Sequence, residues 1–162
     1  MIFLGIVIMA VLVVSFGGVL AFGAPYLPTL TTQIETALVL LDLKPGQTLL
    51  ELGSGDGKVL VAAARAGLNV VGVELNPFLV IVSRVRTRKY RKQVKIVWGN
   101  FWTLELPEFD GVFVFLLDRF MPKLDQKLSN LHKPFNLVSF AFKMPSKKVT
   151  IEKNGLFLYQ YK

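Results

Sequence analysis

The sequence predicts an α/β fold, a doubly wound sheet of seven mostly parallel strands, closed by an antiparallel C-terminal hairpin strand and preceded by one N-terminal transmembrane helix. Three observations predict it. No charged side chain precedes Glu35 in this chain of 162 residues. Behind that stretch, short apolar runs alternate with segments of helical spacing, the pattern of a parallel sheet covered on both faces. At the C-terminus, two strand-like runs flank Asn154-Gly155, a pair that favours a tight type I′ turn.

Taken in order, Ile2 to Phe22 is a continuous run of apolar or small residues, and 20 or so such residues at about 1.5 Å each span the roughly 30 Å hydrocarbon core. The start, Met1-Ile2-Phe3-Leu4, lacks the basic flank of a cleavable signal peptide. Residues 1–23 are therefore read as an anchor. Residues 24–30, with Pro25 and Pro28, form a short stiff linker, and residues 31–162 form one domain. Thr32 with Glu35 reads as a capping box, and Ile34, Ala37, Leu38 and Leu41 share a helical face, so a first helix runs to about Leu43. Strands are expected at Thr48 to Leu52, Asn69 to Leu75, Val94 to Trp98, Gly111 to Leu117 and Leu137 to Phe142, with the hairpin at Val149 to Lys153 and Leu156 to Tyr161. Helices start near Gly57 and Asn76, and another covers Pro122 to Leu131.

Composition narrows the chemistry. There is no cysteine, so disulfides, thiolate zinc sites and a cysteine nucleophile are excluded, and the single histidine, His132, makes a histidine-based metal site unexpected. All 19 basic and 11 acidic residues follow the apolar run, giving the domain the whole net charge of +8. Positive flanks stay on the cytoplasmic side of a bilayer, so a single-pass protein with a cytoplasm-facing domain is expected. The basic run Arg84, Arg86, Arg88, Lys89, Arg91 and Lys92 invites a nucleic-acid reading. Its helix runs away from the ligand edge of the sheet, and the helix dipole with anionic lipid headgroups accounts for it more simply.

The chemistry-bearing motif is Glu51-Leu52-Gly53-Ser54-Gly55-Asp56-Gly57, where an apolar strand meets a glycine-rich turn and then a helix. Such a turn lets a nucleotide-type ligand approach the backbone closely. A dinucleotide fingerprint wants a small residue where Lys58 stands, which disfavours a dehydrogenase. At the end of the second strand Glu74 is suited to accept hydrogen bonds from ribose hydroxyls. At the end of the third, Asn100 is suited to an adenine edge and Phe101 to its ring.

These successive motifs resemble those of class I S-adenosylmethionine (SAM)-dependent methyltransferases, whose Rossmann-like sheet ends in such a hairpin; the resemblance covers about Thr31 to Lys162. The N-terminal apolar run, the Pro25-Tyr26-Leu27-Pro28-Thr29 linker and the Leu52 to Lys58 loop are similar to a narrower group, small membrane-anchored protein-lysine methyltransferases such as those acting on the c-ring protein of ATP synthase. The resemblance implies SAM as cofactor. It sets Gly53, Ser54, Gly55 and Gly57 along the methionine moiety, Glu51 near its amino group, Glu74 at the ribose and Asn100 with Phe101 at the adenine, and counts Leu75 and Asn76 among the cofactor-binding residues. Asp56 is either a helix cap or a ligand contact, and Tyr26 and Thr29 either fold over the cofactor or pack the linker.

Methyl transfer from a sulfonium is an in-line displacement, so an enzyme chiefly aligns its reactants and excludes water. A lysine acceptor must lose a proton, and Asp118, just past the fourth strand, is the candidate base. The narrower group carries a Leu-Leu-Pro-like sequence where this chain has Leu116-Leu117-Asp118. The expected acceptor is a lysine of a membrane protein, with the bilayer as the other partner and no nucleic acid. An anchored lipid or quinone methyltransferase is the enzymatic alternative, and a non-catalytic SAM-binding scaffold module the alternative of another class. His132 is read as a surface residue.

Overall fold

The computed structural model describes residues 5–6, 29 and 31–162. Its elements run α1 (Thr31–Leu41), β1 (Thr48–Leu52), α2 (Lys58–Arg65), β2 (Asn69–Glu74), α3 (Pro77–Thr87), β3 (Val94–Trp98), β4 (Gly111–Val114), α4 (Met121–Ser129), β5 (Phe135–Phe140), β6 (Ile151–Lys153) and β7 (Leu156–Tyr161). One sheet of seven strands has the order β3-β2-β1-β4-β5-β7-β6. The first five are parallel, and β7 is antiparallel to both β5 and β6. The expected α/β class, strand number and closing hairpin are all present.

Strand alternation decides which residues face which layer. Leu50, Leu52, Val112, Val114 and Leu137 point to one face and pack with Met121, Leu124 and Leu128 of α4 and with Tyr159. Leu49, Phe113, Val138 and Leu158 point to the other and meet Ile34, Ala37 and Leu41 of α1 and Val59, Leu60 and Ala63 of α2. Each fully buried leucine contributes about 1.5–3 kcal/mol, so the central strands anchor the domain. Between them, Asn136 Nδ2 donates to the Leu41 carbonyl (3.1 Å), tying the end of α1 to the sheet.

Several boundaries move for identifiable reasons. The helix α1 begins at Thr31, so Thr32 lies inside its first turn; its hydroxyl donates to Gln33 Oε1 (2.8 Å) instead of forming a capping box. β4 stops at Val114 rather than Leu117, because its partner β1 stops at Leu52 and leaves nothing to pair with beyond it. β5 starts at Phe135 and ends at Phe140, two residues earlier than expected at each end. Its register follows β7, from Phe135 opposite Tyr161 to Phe140 opposite Leu156, and the rings of Phe135 and Tyr161 stack at 4.5 Å. Asn154 and Gly155 both take positive φ, 53° and 75°, as a type I′ turn requires.

Among the described residues, no helix is long and apolar enough to cross a membrane. The run Ile2 to Phe22, on which the anchor expectation rests, lies outside the described residues except for Gly5 and Ile6.

Candidate functional site

The order of the strands opens a crevice before any side chain is considered. β1 connects through α2 to β2 on one side, while β4 lies on its other side and connects onward through α4 to β5. Ligands of doubly wound sheets sit at this switch point, outside the carboxyl ends of the strands. Gly53 to Gly57 occupy that position. The strand ends where Gly53 turns to φ 83°, and Gly55 and Gly57 also take positive φ, 52° and 80°. A side chain on Gly53 would point toward Leu116 past the end of β4, 3.9 Å away, so this glycine lies open to the crevice.

The loop is held from beneath by β2. The N–H groups of Gly53 and Ser54 donate to the Val73 carbonyl (2.9 and 3.0 Å), and Gly57 N–H donates to Ser54 O (3.0 Å). Glu74 then ties the loop to the start of α3: Oε2 accepts from Gly55 N–H and Oε1 from Asn76 N–H, each at 2.8 Å. Each carboxylate oxygen has a further lone pair, so the tie does not exhaust its capacity to accept.

Glu51 lies 5% exposed on β1, between Gly72 of β2 and Phe113 of β4 in the strand register. Its Oε2 is buried and finds no hydrogen-bond partner among the described residues. Burial holds its carboxyl well above the usual range, helped by the negative charges of Glu74 and then Asp56. Burial raises Glu74 too, against the opposing backbone N–H groups of Asn76, Gly55 and Leu75. Asp56 ion-pairs with Arg86 of α3, and its Oδ1 accepts from Lys58 N–H at 3.3 Å. A buried acidic side chain with an oxygen unsatisfied among the described residues therefore stands just before a glycine loop that is exposed at Gly53, an arrangement suited to a cationic group.

The remaining candidates separate by position. Ser54 is buried, with no partner for its Oγ among the described residues. Leu75 is half-buried and its carbonyl accepts from Trp98 Nε1 (3.1 Å). Asn76 is buried and caps α3, its Oδ1 accepting from Phe78 and Leu79 N–H (2.9 and 3.4 Å). Asn100 Oδ1 accepts from Trp102 N–H (3.0 Å), organising the turn after β3. Phe101 is buried in the core and its ring sits 4.6 Å from that of Trp102. Asp118 is exposed at the head of a 3₁₀ turn, Asp118–Phe120, that leads into α4. Thr29 is half-buried, and Tyr26 lies outside the described residues. His132 is exposed, at φ 48°.

Three supports of the loop were not read from the sequence. A side chain on Gly72 would come within 2.7 Å of Ser54 Cβ, so β2 needs glycine there to admit the loop; a glycine inside a strand was the available signal. A side chain on Gly57 would come within 2.4 Å of Ser83 Oγ, so α2 and α3 touch at this point. The Arg86 to Asp56 pair joins residues thirty apart and left no local signal. Among the described residues, no cluster of acidic or histidine side chains is suited to a metal.

Comparison with known proteins agrees with this geometry. Residues 51–151 match the model of the ANTKMT methyltransferase domain. The chain is 32% identical over 125 residues to the ATP synthase c-subunit lysine N-methyltransferase of Xenopus laevis, covering 75% of this chain and 55% of that protein. It is 32% identical over 126 residues to the adenine nucleotide translocase lysine N-methyltransferase of Mus musculus, with the same coverage of 75% and 55%. The chain thus spans about half the length of the curated relatives it matches. Among solved structures, an RNA methyltransferase from Salinibacter ruber bound to S-adenosyl-L-homocysteine superposes with a TM-score of 0.76 at 28% identity, over 83% of this chain and 92% of that one.

Proposed function

We propose that this chain, which belongs to the family of the ANTKMT methyltransferase domain, binds S-adenosylmethionine in the crevice above Gly53 to Gly57 and methylates a lysine side chain of a protein. The reading rests on the buried Oε2 of Glu51, unpartnered among the described residues, at the end of β1 just before a loop of three positive-φ glycines. The residues present fit this cofactor. Its methionine moiety ends in an ammonium, the group that Glu51 lacks, and the Glu74 oxygens keep lone pairs for ribose hydroxyls. Gly53 leaves the approach clear.

When bound, SAM supplies a methyl group on a sulfonium, open to in-line displacement. The chain's own part is alignment and desolvation. The glycine loop and Glu51 fix the amino-acid end, and Glu74 fixes the sugar. Beyond β4, Leu116 is buried, and Phe115 packs on Phe140 with ring centroids 4.7 Å apart. A lysine entering beside this apolar edge is favoured in its neutral form, whose Nζ lone pair makes the new bond. Asp118, exposed at the same edge, is the proton acceptor in this reading.

The named activities of the relatives support a protein lysine as acceptor. A membrane protein is the finer reading, and the uncharged run Ile2 to Phe22 supports it by tethering the domain to the bilayer, facing the cytoplasm. Membranes incubated with the full chain and methyl-labelled SAM should carry label on the Nζ of a lysine, located by mass spectrometry. Label confined to lipid extracts or to RNA would overturn the protein acceptor, and absence of SAM binding by calorimetry would overturn the enzyme.

A further inference from the structure

Helix α3 is amphipathic with its polarity inverted on the outside. Leu79, Val80, Ser83 and Thr87 are buried against the domain, so at about 100° per residue the outermost positions fall at 81 and 85. Those positions hold Ile81 and Val85, 60% and 58% exposed. A helix that faced only water would carry polar groups there. Phe78 extends the ridge at one end, and Trp98 at the end of the edge strand β3 adds an indole that is 64% exposed. Arginines flank the ridge on both sides: Arg84 and Arg88 toward β3, Arg86 toward Asp56.

Charge on this edge is one-sided. From Asn76 to Asn100 the chain carries seven basic residues and no acidic one. Arg86 has its partner in Asp56, while no acidic group among the described residues forms a salt bridge with Arg84, Arg88 or Arg91. These three arginines, with Thr87, Val94 and Ile96, line a cleft of about 350 Å³ between α3 and β3. Cationic walls over an apolar floor are suited to a phosphate diester that carries hydrocarbon with it.

We propose that this edge is a bilayer-docking surface. The α3 ridge, with Trp98, seats at the interface of an anionic phospholipid membrane, and the Arg84/Arg88/Arg91 cleft takes a lipid phosphate. Isolated apolar side chains are ordinary on any surface. A ridge of them between arginines, with an interfacial indole beside it, is the pattern of helices that lie in the headgroup layer, where long cationic side chains reach back to phosphate. A protein partner would need an acidic counterpart shaped to the ridge, whereas a fluid anionic surface meets the charge with no fixed shape. The uncharged run Ile2 to Phe22 ends nine residues before α1 begins at Thr31, which keeps such a surface within reach. Docked this way, the domain lies on its side. Trp98 and Phe78 at the carboxyl edge of the sheet and Arg88 and Arg91 at the other edge then touch the membrane together, and the crevice opens along the bilayer. The inference is separate from the methyl-transfer reading, since none of these residues holds the glycine loop except Arg86, which is left intact below.

The test uses the full chain carrying Trp102→Phe, so that Trp98 is the one tryptophan. It is reconstituted into vesicles of phosphatidylcholine alone or with about a third phosphatidylglycerol, with brominated acyl chains as quencher. In the anionic vesicles Trp98 emission should shift to the blue and be quenched severalfold. R84E/R88E/R91E and, separately, I81S/V85S should abolish both effects, whereas R84K/R88K/R91K should retain them. SAM titration of each variant, expected to be unchanged, reports that it is folded and keeps failure here distinct from failure of the enzyme reading. Trp98 unquenched in anionic vesicles would overturn the proposal. So would equal quenching in phosphatidylcholine alone, which would remove the role of the cleft, or shielding of Trp98 that depends on protein concentration in detergent, which would assign the ridge to a second copy of the chain.

Discussion

Glu51 concentrates the tension between stability and binding at the residue scale. Its raised pKa means that the folded, ligand-free protein binds this proton more tightly than the unfolded chain. The stabilisation is therefore fully present below the ordinary carboxylate pKa and is lost as pH rises through the raised value. Glu51→Gln should accordingly raise the melting temperature of the ligand-free protein more at about pH 8 than at about pH 5, since glutamine cannot ionise. If Glu51 holds the cofactor's ammonium, as proposed, the same substitution should weaken SAM binding by about tenfold or more, as expected for a lost charge-assisted hydrogen bond. On that proposal the ammonium favours the ionised carboxylate in the unaltered protein, so SAM affinity should rise with pH until Glu51 is already ionised when free. Calorimetric titrations across pH measure both effects; affinity independent of pH and of the Gln substitution would remove Glu51 from the site. A second residue test concerns Gly57, where an added methyl meets Ser83 Oγ at 2.4 Å and φ is 80°. Gly57→Ala should destabilise by about 2–4 kcal/mol in denaturant unfolding. Because the Ser83 hydroxyl is buried and unpartnered among the described residues, Ser83→Ala alone should be close to neutral, and on that background Gly57→Ala should cost about 1 kcal/mol less.

The strands and the glycine loop were legible because their signals are local. Short apolar runs, three glycines in five residues and Asn-Gly each act within a few residues. What escaped at this scale depends on partners distant in sequence. The length of β4 is set by where β1 ends, and the register of β5 by β7. Asn76, expected among the cofactor-binding residues, also has a role in the fold: its Oδ1 accepts from two N–H groups of α3. Asn76→Ala should therefore cost about 1 kcal/mol of stability, the usual loss of an N-cap, and leave SAM affinity within about threefold, because the backbone N–H that holds Glu74 remains. A loss of affinity beyond about tenfold, with stability unchanged, would instead make the side chain a cofactor contact. The C-terminal strand has its own distant tie: Tyr161 Oη donates to buried Asp125 of α4 at 2.8 Å, and burial with that carboxylate raises the phenol pKa.

At the scale of the whole molecule, both core layers of the described residues fall between Ile34 and Tyr161. A chain beginning at Thr31 should thus unfold cooperatively and bind SAM with the affinity of the full chain. On membranes it should lose most of its methylation rate, by about 10²–10⁴-fold if tethering supplies the effective concentration. Equal rates with and without residues 1–30 would remove tethering from the mechanism. The sequence by itself determined the class of fold, the seven strands and the glycine loop after β1, because periodicity and turn chemistry are written in neighbouring residues. Only the tertiary structure decided that Glu51 is buried with its Oε2 unpartnered among the described residues, that Glu74 ties the loop to the start of α3, and that Gly72 and Ser83 shape its floor. Burial, desolvation and close approach are properties of residues brought together from different strands and helices, and no single stretch of chain contains them.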